Sequence, residues 1–124
     1  MDHTLVVDRQ GRLYVGGCNT FGQLGIDGKV AGKRPYKRIE FFDGIQTKAK
    51  RAQGGMNFSV VLSQSGQLYS TGLAENGRLG LGSIMSRQVS EFTLLKFFTD
   101  IPLKVEDFCV GGKNVLAWSE KEAL

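Results

Sequence analysis

Few side chains in this sequence are placed for covalent chemistry. His3 is the sole imidazole, so a general-base role would rest on one group near the start of the chain, and packing between strands is its more ordinary use. Zinc asks for about four ligands, and one histidine with two distant cysteines, Cys18 and Cys109, does not supply them. Glu106 and Asp107 are neighbours in an alternating stretch, which puts them on opposite faces of a strand rather than across one substrate. Gly17-Cys-Asn-Thr-Phe-Gly22 has the glycines of a phosphate loop. It lacks the Gly-Lys-Ser/Thr ending and a helix that would present N–H groups. With no nucleophile–base pair, a non-catalytic protein without metal or cofactor is expected.

One cluster points to docking instead. Lys29, Lys33, Arg34, Lys37, Arg38, Lys48, Lys50 and Arg51 place half of the 16 basic residues within 23 positions, with Tyr36, Phe41 and Phe42 among them. Basic side chains interleaved with aromatics are the composition used where phosphates are neutralised and bases stack. The ordinary alternative is a solvated rim loop whose aromatics belong to the core. An acidic protein and RNA are both open as partners of residues 29–51.

The elements that would carry these residues are written twice. Residues 11–25 and 66–80 superpose on a shift of 55 positions, pairing Gly11/Gly66, Leu13/Leu68, Tyr14/Tyr69, Gly17/Gly72, Gly22/Gly77, Leu24/Leu79 and Gly25/Gly80. Extended upstream to His3 and Phe58, the match holds 8 identities in 23 pairs, where chance gives roughly one or two. Each copy begins with a short apolar run, passes a four-residue turn closing on glycine, and resumes at Leu-Tyr: a β-hairpin by its punctuation. Further strands are predicted at Arg38–Phe42, Lys48–Gln53, Glu91–Phe98 and Leu103–Val110. Gly54-Gly55 and Gly111-Gly112 close the two units, and Asn114–Trp118 restarts the pattern. The repeats therefore span about 3–57 and 58–113, with the start of a third unit at 114–124.

A chain of 124 residues with 17 glycines, 8 phenylalanines and no Gly-X-Y period reads as a turn-dense β protein. Its net charge of +4 permits an acidic partner without naming one. No apolar run approaches the ~20 residues of a membrane-spanning helix. The opening Met-Asp-His-Thr has neither the basic start and apolar core of a secretory signal nor the Arg-rich character of a transit peptide. Both cysteines sit in apolar contexts and are expected to be buried thiols in a reducing, intracellular setting.

Leu-Tyr followed by Gly17-x-Asn-x-x-Gly-Gln-Leu-Gly25, behind an apolar strand and a glycine turn, resembles the Regulator of Chromosome Condensation repeat. His3-Thr4, Pro35, Ile45, Ile101 and the Gly-Gly before each apolar strand fit that layout. The family's usual tryptophan is Gly16 in the first unit and Thr71 in the second; in the second, its His is Phe58 and its Asn is Ala74. The resemblance implies an all-β fold of β-propeller blades: two four-stranded antiparallel blades plus one extra strand, an incomplete propeller where seven blades close a ring. Seven units of this length need roughly 385 residues, and about three stacked repeats are needed for independent stability.

The expected function is thus a non-catalytic protein-interaction or scaffold module working with other chains or further blades in a larger assembly. The resemblance also implies the family's own roles, guanine-nucleotide exchange on a small GTPase or chromatin binding. The basic segment offers a third class, a peripheral RNA-associated subunit of a ribonucleoprotein.

Overall fold

The duplicated hairpins are antiparallel strand pairs, and they stand in different sheets. The computed structural model describes residues 3–26, 33–73, 88–95, 104–112 and 114–119. β1 (His3–Val7) turns into β2 (Leu13–Cys18), and β3 (Lys33–Ile39) joins the far edge of β2. β4 (Ala49–Gly55), β5 (Phe58–Ser63), β6 (Leu68–Leu73) and β7 (Gln88–Leu94) follow one another across a second sheet. β8 (Asp107–Val110) and β9 (Val115–Trp118) form a third. Every pairing is antiparallel. The all-β partial propeller is the architecture, with the described strands distributed three, four and two.

Local chemistry explains the hairpins. In the first, Asp8 Oδ1 accepts the N–H groups of Gln10 and Arg12 at 3.0 and 2.9 Å, and Gly11 closes the turn at φ 78°. In the second, Ser63 Oγ accepts from the Gln67 N–H at 3.2 Å and Gly66 takes φ 88°. A short polar side chain satisfies turn donors in both, and glycine supplies the left-handed backbone.

The sheets are out of phase with the sequence repeat. β3 and β7 lie 55 positions apart, so the units correspond strand for strand. Yet β4, last in the first repeat, pairs with β5, first in the second, from Gly55↔Phe58 to Ala49↔Ser63. β9 likewise pairs with β8, Val110↔Val115 to Asp107↔Trp118. The restart at Asn114–Trp118 therefore pairs within a third sheet and is not part of the second.

Two apolar layers separate the three sheets. Leu13, Val15, Leu24, Ile39 and Phe42 meet Val61, Tyr69 and Phe92 between the first and second. Phe58, Val60, Leu62 and Leu68 meet Val105, Phe108 and Ala117 between the second and third. β5 and β6 are accordingly buried along their whole length.

Three expectations need correction. Arg38–Phe42 is not one strand: β3 stops at Ile39 and Phe41–Gly44 forms one helical turn, α1. Strand alternation would send one of the two phenylalanines outward. The helical turn instead brings Phe41 and Phe42 edge-on to Tyr69, at 5.7 and 5.2 Å between centroids, beside Phe92. In the stretch 91–98 the strand starts earlier, at Gln88, and ends at Leu94; residues 96–98 lie outside the described residues. Of the cysteines only Cys18 is buried; Cys109 is exposed, because its neighbour Phe108 takes the core side of the alternating strand.

Candidate docking surface

Among the described strands β3 is the outer edge of its sheet, and four of the eight clustered basic residues, Lys33, Arg34, Lys37 and Arg38, lie in it. Pro35, Tyr36, Lys37 and Arg38 are all exposed, Tyr36 at 61 %. Proline is tolerated because an edge strand needs no donor on its open side, and charge on an edge deters pairing with other chains. Tyr36 lies across Gly16 of β2: a Cβ on that glycine would come within 3.1 Å of the ring. The glycine that stands where the family usually has tryptophan thus leaves room for a tyrosine from the next strand, whose ring stays open to solvent.

The eight basic positions do not form one patch. Lys33 and Arg34 stand in β3 opposite Cys18 and Gly17, with Lys37 opposite Val15 and Arg38 opposite Tyr14. Arg38 is engaged by Asp43 of α1, Nη2 to Oδ2 at 2.6 Å, an exposed pair that contributes little stability. Lys48 is exposed just before β4. Lys50 Nζ reaches the Glu106 carbonyl at 3.5 Å. Arg51 donates to Asp107 Oδ1 at 2.5 Å and lies 5.6 Å from the Phe108 ring centroid. These last contacts tie the second sheet to the third. Lys29 lies outside the described residues. Asp107 titrates below the ordinary carboxylate range, chiefly because it accepts the Phe108 N–H and then because Arg51 faces it.

The repeat positions sort into turn, core and junction. Leu13, Leu24, Leu68 and Tyr69 are buried and Tyr14 half-buried. Gly11, Gly17, Gly22, Gly25, Gly66 and Gly72 all have positive φ, between 69° and 119°. Gly77, Leu79 and Gly80 lie outside the described residues. The Gly17–Gly25 loop, whose first part, Gly17–Gly22, has the glycines but not the other features of a phosphate loop, is a clasp between sheets. Asn19 Oδ1 accepts the Leu24 N–H at 3.1 Å, and Gln23 Oε1 accepts that of Phe21 at 2.8 Å. The carbonyls of Gly22 and Gln23 then accept the Thr71 and Ser59 hydroxyls of the second sheet, at 2.8 and 2.5 Å. His3 acts in the same junction, its Nε2 lying 2.8 Å from Ser59 Oγ and 3.1 Å from the Phe58 carbonyl. Sequence reasoning placed His3 in packing but missed Asn19, Gln23, Ser59 and Thr71; the signal available was the polar pair inside an otherwise glycine-and-leucine motif.

Residues 10–62 match the Regulator of chromosome condensation (RCC1) repeat. This chain carries an RCC1 repeat. The X-linked retinitis pigmentosa GTPase regulator of Canis lupus familiaris is 33 % identical over 125 residues, covering 99 % of this chain and 12 % of that protein. The probable E3 ubiquitin-protein ligase HERC4 of Mus musculus is 36 % identical over 93 residues, 75 % of this chain and 8 % of that protein. Among solved structures, yeast RCC1 (Prp20) bound to Kap60 superposes with a TM-score of 0.79 at 24 % identity, covering 97 % of this chain and 28 % of that one. Human WBSCR16 superposes with a TM-score of 0.75 at 24 % identity over 95 % of this chain and 29 % of that one. These superpositions show the fold. The chain spans about an eighth or less of the curated relatives it matches. RCC1-type blades are therefore what it contributes, and no helix among the described residues is long and apolar enough to cross a membrane.

Proposed function

We propose that these blades serve as a non-catalytic protein-interaction module whose contact with an acidic protein is made along β3. The observation that carries this is the exposed run Pro35–Arg38 on an edge strand, with Tyr36 packed close over Gly16 and Lys37 making no ion pair among the described salt bridges. An aromatic ring held in place by its neighbour loses little entropy on contact, and an adjacent cation steers an acidic partner to it. Lys33 and Arg34 extend the same strand. Protein partners also appear in the similar solved structures: yeast RCC1 (Prp20) is bound to Kap60, and Prp20p was characterised for binding Gsp1p and histones. They favour a protein over RNA as the partner here, and an intracellular setting goes with it.

The test compares binding of the chain to poly-glutamate and to single-stranded poly-uridine across salt concentrations. Binding to poly-glutamate that falls roughly tenfold in the Tyr36→Ala/Lys37→Glu variant supports the proposal. Tighter binding to the RNA, with the steep log–log salt slope of phosphate contacts, overturns it. So would accelerated nucleotide release from a small GTPase, which would make the module an exchange factor.

A further inference from the structure

An open cleft of about 490 Å³ lies where α1 and the linker behind it meet the second sheet, within the size range of ligand sites. Phe41 and Ile45 come to it from the first unit, Tyr69 and Leu94 from the second. Gln46, Thr47, Ser65 and Gln67 line the rest, and none of the described residues that line it is charged. The polar pair in the linker is particular to this junction. A Cβ on Gly66 would meet Lys104 as one on Gly11 would meet Lys48, so Lys48 and Lys104 are equivalent positions. By that correspondence Gln46 and Thr47 stand where the second unit has Pro102 and Leu103. Gln46 has a φ of 58°, which proline cannot adopt and other non-glycine residues enter only at a cost. The repeat itself therefore demands neither this amide nor its backbone, and strain of this kind collects at functional sites.

We propose that this cleft binds an uncharged aromatic residue of an extended peptide from a partner protein. The lining is neutral, so a charged side chain entering it would lose its hydration and find no counter-charge. Phe41 is half-buried, and its ring stands edge-on to Phe42 and Tyr69, with 5.1 and 5.7 Å between centroids. A guest ring extends that edge-to-face array, an arrangement that aromatic pairs prefer. The polar rim suits the peptide groups on either side of the guest. Tyr69 donates its hydroxyl to Gln67 Oε1 at 3.2 Å, which leaves the Gln67 amide nitrogen to donate to a carbonyl. Gln46 is exposed and offers both a donor and an acceptor. The Thr47 and Ser65 hydroxyls stand 3.5 Å apart, tying the linker to the β5–β6 turn, so the cleft is formed before anything enters it. Rings and amides act here and cations at the β3 edge, and the two surfaces do not depend on each other.

The probe is the capped tripeptide acetyl-Ala-Phe-Ala-amide, followed by magnetic saturation transfer from the full chain to its ring protons. Binding is expected, and it should change little between about 50 and 500 mM salt because no ion pair is made. Acetyl-Ala-Glu-Ala-amide and phenol should bind at least about tenfold more weakly, the first for its charge and the second for want of peptide groups. Gln46→Gly keeps the left-handed backbone and removes the amide, so it should weaken the peptide about five- to tenfold. Ile45→Glu, a change at an exposed side chain, should abolish binding, while Lys37→Glu should leave it intact. Absence of binding, equal binding of the glutamate peptide or of phenol, or loss of binding in Lys37→Glu overturns the proposal. So does unchanged binding in either Gln46→Gly or Ile45→Glu, the result expected of a peptide that merely adheres to Leu116 and Trp118.

Discussion

At the scale of single residues, glycine decides more of this structure than any charged group. Gly25 is the clearest case, since its φ is 69° and a Cβ there would meet Phe92 Cε2 at 2.5 Å. Both the backbone conformation and the ring behind it exclude a side chain. Gly25→Val should therefore destabilise the fold by ~1–3 kcal/mol. Gly44, in the helical turn with open space around it and no positive φ, is the internal control: Gly44→Ala should leave the melting temperature unchanged or slightly raised. Equal losses at the two sites in thermal melts would remove Gly25 from the blade junction. The repeated glycines were legible in the sequence because identity survives duplication. What each one avoids was not, because the obstructing groups, Phe92 at Gly25 and Lys48 at Gly11, come from other elements.

At the scale of elements, hairpins and their turns could be read directly, since each is a local pattern of alternation closed by glycine. The partners of the strands between hairpins could not. Nothing in Ala49–Gly55 alone says that it belongs with the strand after it, and that follows only once the Gly-Gly pair is seen as a tight link. The basic run met the same limit: close in sequence, its described members fall on β3 and on or just before β4, edges of different sheets, and Arg51 turns out to be a tie. That tie predicts a pH effect. Asp107 has a folded pKa below its unfolded value, so the stability it contributes is present above the ordinary carboxylate pKa and lost as pH falls through the lowered one. Melting temperatures taken from pH 7 down to about 3 should fall less in Asp107→Asn than in the unmodified chain. Parallel curves would show that the Arg51 contact is indifferent to folding.

At the scale of the whole molecule, the two apolar layers hold three sheets together, while Val6, Leu116 and Trp118 stay 45, 58 and 36 % exposed. Apolar side chains left in water forgo ~1.5–3 kcal/mol each, against a total margin of only ~5–15 kcal/mol for a domain. The isolated chain is therefore expected to associate with itself or aggregate at low micromolar concentration, and to become well ordered beside further blades or a large partner. Sedimentation decides this: a 13.6 kDa monomer with a cooperative melt and no binding of a hydrophobic dye would overturn it. The offset between repeat and sheet has one more consequence, for how such genes can change. Because the second and third sheets each take their first strand from the unit before, duplicating a 55-residue window, wherever it starts, inserts a finished sheet without a seam. Truncation has no such freedom: a stop codon after Asn57, at the visible edge of a repeat, would strand Ala49–Gly55 with no neighbour to pair with.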